Sequence, residues 1–272
     1  MKQEHSMKKH QNKQNDTSWE GVSFWYDQML QSSDTYQSKV ILPNVLRLVD
    51  PKPSKHIVEL GCGQGYFSEI FAKAGASVIG LDFSRSLIGL AQSRVDKEKY
   101  QSKIDFHHGD ASNAYSIASK TADVVVIILA LQNMKDLSKV VSEIARIMKD
   151  NGRAIIVLNH PAFRVPKHSD WGFDEASKTQ YRKVSKYLSE LTLDIDMEPA
   201  RTASGKKSTI TKSFHRSLQT YTKAFSSSNL VISKIEEWIS HKQSQKGPRQ
   251  KAEDDARKEI PLFMCLELRK LS

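Results

Sequence analysis

The run Val58-Glu59-Leu60-Gly61-Cys62-Gly63-Gln64-Gly65 constrains this chain more than any other. It reads as a buried strand that ends beside an acid and opens into a loop with glycine at every second position. An amphipathic stretch follows, with Tyr66, Phe67, Ile70, Phe71 and Ala74 on it. Strand, glycine loop and helix is how an α/β fold cradles a nucleotide-like ligand, because helix N-terminal N–H groups and side-chain-free backbone can approach it closely. The loop lacks the third glycine of a dinucleotide fingerprint, since that position is Tyr66, and it lacks the Gly-Lys-Ser/Thr end of a P-loop. Glu59 at the mouth of the loop would repel a pyrophosphate and attract an ammonium group.

Two more acids follow at useful spacing. Ser77-Val78-Ile79-Gly80-Leu81-Asp82 reads as the next strand, and Asp82 lies close to the roughly 20-residue offset of a ribose-binding carboxylate. A third strand, 104–107, precedes Gly109-Asp110-Ala111, where Asp110 could accept a bond from an adenine amino group and Ala111 could offer its N–H to the ring. A fourth, Ala122-Asp123-Val124-Val125-Val126-Ile127-Ile128-Leu129, is apolar almost throughout.

These motifs, in this order over residues 55–160, resemble those of the class I S-adenosylmethionine (SAM)-dependent methyltransferases, and within them the small-molecule type. The resemblance implies a Rossmann-like, doubly wound, mostly parallel seven-stranded α/β sheet with SAM as cofactor. It assigns cofactor binding to Glu59, Gly61, Cys62, Gly63, Gly65, Asp82, Phe83, Asp110, Ala111 and Ile128. In related enzymes the segment before the first strand folds over the cofactor, which makes Tyr26 and Tyr36 candidate lid residues.

Alternation of elements supports the same class. A helix over 40–49, with Ile41, Val45 and Leu48 on one face, ends before Pro51. Ser84 is a plausible N-cap for a helix bearing Leu87, Ile88, Ala91 and Val95, and Asp136 for one bearing Leu137, Val140, Val141, Ile144 and Met148. Asn151-Gly152 turns into a fifth strand, 154–158. Apolar strands alternating with amphipathic helices imply a sheet covered on both faces. The rhythm breaks over 159–216, which reads as a lid insertion after the fifth strand, with a polar helical stretch near 175–188 and an alternating segment at Leu193-Asp194-Ile195-Asp196-Met197. The core resumes with a helix over 218–225 and strands over 230–238 and 262–268, the polar stretch 241–258 between them reading as a loop or a short exposed helix. The expected divisions are a disordered basic tail at 1–18, a helical cap at 19–54 and the SAM-binding domain at 55–272.

The chain has 272 residues, two cysteines and a formal net charge of +10. The first 18 residues lack the apolar core of a signal peptide and no run of 18 apolar residues exists, so a soluble cytoplasmic protein is expected. Cys62 and Cys265 have neither the number nor the spacing of a disulfide framework or zinc site, and no metal is expected. Charge is uneven: residues 1–150 carry +2 and residues 151–272 carry +8. That surplus fits a solvated surface, an acidic acceptor or RNA.

Methyl transfer needs an aligned nucleophile and sometimes a base. Two segments offer His and Arg beside Phe: Asn159-His160-Pro161-Ala162-Phe163-Arg164 and Ser213-Phe214-His215-Arg216. His160 and His215 are the candidate bases, or else they brace loops. Phe163, Arg164, Trp171, Arg216 and Tyr221 are candidate substrate-lining residues. Asn159-His160-Pro161 is similar to the Asn-Pro-Pro-aromatic motif of amino-directed methyltransferases but follows the wrong strand; Ala130-Leu131-Gln132-Asn133 stands in the right place and lacks it. The reading is methyl transfer to a small molecule. RNA or protein methylation is the alternative, and a non-catalytic SAM-binding protein is a third.

Overall fold

A computed structural model of the chain describes residue 19 and residues 34–95, 100–197, 202–203 and 208–271. The expected tail and the lid candidate Tyr26 lie outside the described residues. Tyr36 is described, and its hydroxyl shares a hydrogen bond of 3.2 Å with Ser240.

Seven strands form the central sheet: β1 (His56–Leu60), β2 (Ser77–Asp82), β3 (Ile104–His108), β4 (Ala122–Ile128), β5 (Met148–Asn159), β10 (Leu230–Trp238) and β11 (Phe263–Lys270). Their order is β10-β11-β5-β4-β1-β2-β3, and β11 alone runs against its neighbours. Helix α1 (Leu42–Val49) precedes the sheet; α2 (Tyr66–Lys73), α3 (Arg85–Val95) and α4 (Leu137–Ile147) connect the parallel strands; α5 (Leu218–Ser227) and α6 (Gln250–Glu259) flank β10. This is the expected class I architecture. β4 is buried along nearly its whole length because helices cover both faces of the sheet. The chain builds β1, β2 and β3 outward, then returns to place β4 on the other side of β1. That reversal opens a crevice at the carboxyl ends of β1 and β4, where ligands of open α/β sheets bind.

The helix starts follow the expected caps. Ser84 Oγ accepts the Leu87 N–H at 3.2 Å, and Asp136 Oδ1 accepts the Lys139 N–H at 3.2 Å. The α4 stripe buries Leu137, Val140, Val141, Ile144 and Ile147. Met148, expected to close that stripe, instead begins β5. The fifth strand is longer than expected because Asn151-Gly152 is an irregularity within it: Ala122 pairs with Met148, but Val124 pairs with Arg153. Arg153 also caps α1 from the sheet, donating to the carbonyls of Leu48 and Val49 at 2.8 and 3.2 Å.

Among the described residues, the insertion forms two hairpins. β6 (Ser169–Asp174) pairs with β7 (Thr179–Val184), and β8 (Leu191–Asp196) pairs with β9 (Ile210–His215). The helix expected near 175–188 is absent. Thr179, Tyr181 and Val184 favour extended backbone, exposure alternates residue by residue along β7, and the turn uses Lys178 at φ 53°. Across the hairpin, the ring of Tyr181 occupies the space a side chain at Gly172 would need; a Cβ there would lie 2.3 Å from the Tyr181 ring. Among the described residues, no helix is long and apolar enough to cross a membrane.

Candidate functional site

A cavity of about 400 Å³ opens at the crevice between β1 and β4. Its floor is the glycine loop, one wall is the ends of β2 and β3, and the other is the segment that follows β4. Gly61, Gly63, Asp82, Phe83, Asp110, Ala111 and Ile128 line it, which is seven of the cofactor candidates. Gly63 has φ +57°, and a Cβ there would meet nothing within 4 Å. Its missing side chain leaves backbone bare to the cavity.

Asp82 organises this floor. Its carboxylate accepts the N–H of Gly63 and of Ser84, each at 2.8 Å. It thereby ties the loop to the start of α3, and a carboxylate offers about four acceptor positions in all. Asp110 accepts the Ser112 N–H at 2.8 Å and caps the tight turn that presents Ala111.

Three other cofactor candidates sit behind the loop and do not line the cavity. Glu59 is 1% exposed and accepts a hydrogen bond from Ser68 Oγ. Burial pushes its carboxyl up to about 8, with the charge of Asp82 adding to the shift and the Ser68 bond opposing it. Cys62 turns into a cluster with Ile88, Ala91 and Phe106, and its N–H is held by the Leu81 carbonyl at 3.1 Å, so neither group reaches the cavity. Gly65 caps α2 with φ +81°, against the Phe106 ring.

The far wall was not foreseen as part of the cavity. Leu129, Ala130, Asn133, Met134, Lys135 and Asp136 line it, and their position just past the carboxyl end of β4 was the available signal. Leu129 has φ +53°, uncommon for a residue with a side chain. Its N–H bonds the Val157 carbonyl at 2.8 Å and its own carbonyl accepts Gln132 Nε2 at 2.8 Å, which holds the strained turn in place. Strain of this kind, of order 1–3 kcal/mol, gathers at ligand sites. The second hairpin closes the cavity with Thr192, Lys212 and Phe214.

The two candidate bases do not reach this cavity. Alternation along β9 puts Lys212 and Phe214 on the cavity face and turns His215 away; its Nε2 donates to the Tyr187 carbonyl at 2.8 Å. His160 is 5% exposed, with Nε2 on Glu237 at 2.7 Å and Nδ1 accepting the Ala162 N–H at 3.2 Å. Both ring nitrogens brace the loop after β5 against β10. Burial lowers the imidazole's proton affinity, and Glu237 partly restores it. The neutral ring therefore contributes stability that is present above its ordinary value of about 6.5 and is lost as pH falls through the lowered one. His160→Ala should cost about 1–3 kcal/mol of stability through the bonds left unmade, with ligand affinity at the main cavity unchanged. Denaturant unfolding and calorimetry on one preparation check both halves, and intact stability would refute the bracing role.

The substrate-lining candidates also scatter. Phe163 stacks on His160 with ring centroids 4.7 Å apart. Tyr221 is buried against Phe225. Arg216 works through its neighbours: Nη2 donates to the carbonyls of Met134 and Lys135 at 2.9 and 2.7 Å, fixing the far wall from behind. Arg164 and Trp171 line a separate, smaller cavity.

Residues 58–156 match the sequence model of a methyltransferase domain. The chain is 31% identical over 120 residues to a demethylmenaquinone methyltransferase of Renibacterium salmoninarum, covering 44% of this chain and 48% of that protein. It is 30% identical over 99 residues to a ubiquinone biosynthesis O-methyltransferase of Aromatoleum aromaticum, covering 36% and 42%. The matched stretch thus spans about half the length of these relatives. Among solved structures, a SAM-dependent methyltransferase from Mesorhizobium loti superposes with a TM-score of 0.64 at 21% identity, covering 87% of this chain and 99% of that one.

Proposed function

We propose that this chain, whose residues 58–156 match a methyltransferase domain, is a class I SAM-dependent methyltransferase that transfers a methyl group from SAM to a small-molecule acceptor. The observation that carries the reading is one cavity that joins the glycine loop, Asp82 and Asp110 at one end to Lys135, Met134, Lys212 and Phe214 at the other. SAM supplies a methyl group on a sulfur that already carries positive charge, so the cofactor brings the difficult chemistry.

The residues present suit that cofactor. Bare backbone at Gly63 gives room for close approach, the Asp82 carboxylate suits ribose hydroxyls, and Asp110 with Ala111 suits the edge of an adenine. The amino-acid end would meet Gly61, Leu129 and Ala130. Glu59, behind the loop, would favour a cationic ammonium when ionised, its proton being held up to about 8 without one.

The acceptor end has a different character. Met134 and Phe214 offer apolar contact. Lys135 and Lys212 bring positive charge, although Lys212 also holds Asp194 at 2.7 Å. Nearby ammonium groups stabilise an anion and lower the pKa of the acid that forms it. The wall therefore suits an acceptor whose nucleophile is an acidic oxygen or an electron-rich ring. Closure by a hairpin favours a small molecule, and so do the names of the quinone-pathway relatives.

Calorimetry tests the reading: SAM and its demethylated product should bind on the order of micromolar, a typical substrate-level value. Tight binding of NAD with none of SAM would overturn it. Activity on small phenols or acids should change little with salt. A steep loss with salt on an RNA acceptor would favour the alternative, because phosphate contacts exchange with counterions.

A further inference from the structure

Three arginines meet at the smaller cavity, and among the described residues its lining holds no acid. This cavity holds about 230 Å³ and is lined by Tyr36, Arg164, Trp171, Arg182, Ser240 and Arg257, closed on its apolar side by Ile260 and Leu262. It lies where the chain leaves β5, leaves β10 and enters β11, on the side of the first hairpin.

Each guanidinium is held in place by neutral acceptors. Arg164 Nη1 donates to Asn159 Oδ1 at 2.6 Å. Arg182 donates from Nε to the Phe163 carbonyl at 2.9 Å and from Nη2 to Ser169 Oγ at 2.8 Å. Arg257 Nε donates to Ser244 Oγ at 3.1 Å. Two of the three also stack, Arg182 over Trp171 at 5.1 Å and Arg164 over Phe263 at 5.4 Å. These contacts fix orientation without neutralising charge. Asp170 and Asp254 act on Arg182 and Arg257 only through space; burial lowers Arg164, Tyr36 opposes that shift, and Arg182 adds a smaller repulsion. Gathering like charges costs free energy that packing alone does not explain, since apolar residues of similar volume would fill the space at no electrostatic cost. An anion would remove that cost.

We propose that this cavity is a binding site for a phosphoryl group, held by Arg164, Arg182 and Arg257. Planar guanidinium forks match the several oxygens of phosphate, and forks already oriented lose little freedom on binding. The Tyr36–Ser240 hydroxyl pair adds hydrogen-bonding groups, and the faces of Trp171 and Tyr36 suit a small carrier. The volume admits a phosphoryl group with a compact substituent and excludes a polymer. The anion is either free phosphate or a phosphoryl group on an organic molecule.

The test is calorimetry on the full chain at constant ionic strength, with inorganic phosphate and phenyl phosphate as probes against chloride. At least one probe should bind saturably. Arg182→Gln and Arg257→Gln should each weaken that binding about tenfold or more, the usual worth of a hydrogen bond to a charged group. Arg257→Lys should recover only part of it, because an ammonium keeps the charge but not the fork. Equal affinity for the two probes identifies a free anion; binding much tighter for phenyl phosphate identifies an organic carrier. The same variants should stay folded and keep their SAM affinity, so the outcome is independent of the methyltransferase reading. Absence of saturable binding by either probe into the tens of millimolar, or equal affinity in folded Gln variants, overturns the proposal.

Discussion

Replacing Asp82 with alanine is expected to weaken SAM binding by about 1.5–3 kcal/mol, the cost of losing hydrogen bonds to a charged group. Two losses combine. The ribose would lose its acceptor, and the N–H groups of Gly63 and Ser84 would lose theirs. The domain should stay folded, because Asp82 ends β2 at the open crevice and the strand's buried contacts come from Val78 and Leu81. Asp82→Asn separates the losses: an amide oxygen can still hold a backbone N–H but brings no charge to the ribose. Calorimetry gives the affinities and circular dichroism confirms the fold. Unchanged SAM affinity in a folded alanine variant would remove Asp82 from the cofactor site.

The glycine-loop half of the main cavity was legible in the sequence because its shape is carried by backbone and strand ends. Glycine spacing, one acid per strand and the apolar runs of β1, β2 and β4 are local signals, and their order fixes the sheet. The opposite wall was not legible for the opposite reason. Lys135, Lys212 and Phe214 come together only through the fold, from the loop after β4 and from a hairpin some 80 residues later. Taken singly, none differs from a surface or core residue.

The structure places both candidate histidines away from the main cavity, for a local reason. His160 and His215 each stand beside Arg and Phe at the end of a strand, which is where catalytic groups occur. Strand alternation decides which neighbour faces the cavity, and on β9 it selected Lys212 and Phe214. His160 follows β5 but turns towards Glu237 on β10. The insertion was legible as a departure from rhythm but not as two hairpins. Its polar composition suggested a helix, whereas cross-strand pairs such as Gly172 with Tyr181 and Trp171 with Arg182 set the structure. These two hairpins serve different cavities, the first contributing Trp171 and Arg182 to the smaller and the second Thr192, Lys212 and Phe214 to the larger. Replacing one hairpin should therefore alter one binding property without the other.

Glu59→Gln is expected to make the ligand-free protein more stable at alkaline pH, on the order of 4 kcal/mol relative to the native chain once Glu59 is fully ionised. The carboxyl is buried, its bond from Ser68 replaces only part of its hydration, and its proton is held up to about 8 against an ordinary 4.5. The folded state therefore binds this proton more tightly than the unfolded chain does. The group's contribution is fully present below about 4.5, declines as pH rises, and is gone above about 8. Glutamine keeps the shape and a partner for Ser68 but has no proton to lose, so the difference between the two proteins should grow across that window. Denaturant unfolding of both forms from pH 5 to pH 9 measures it directly, since titrations elsewhere in the chain cancel in the comparison. The same substitution should weaken SAM binding if the ionised carboxylate favours the cofactor's ammonium, and SAM binding to the native chain near pH 7 should then release protons into the buffer. Parallel stability curves for the two proteins would show that burial does not hold the Glu59 proton.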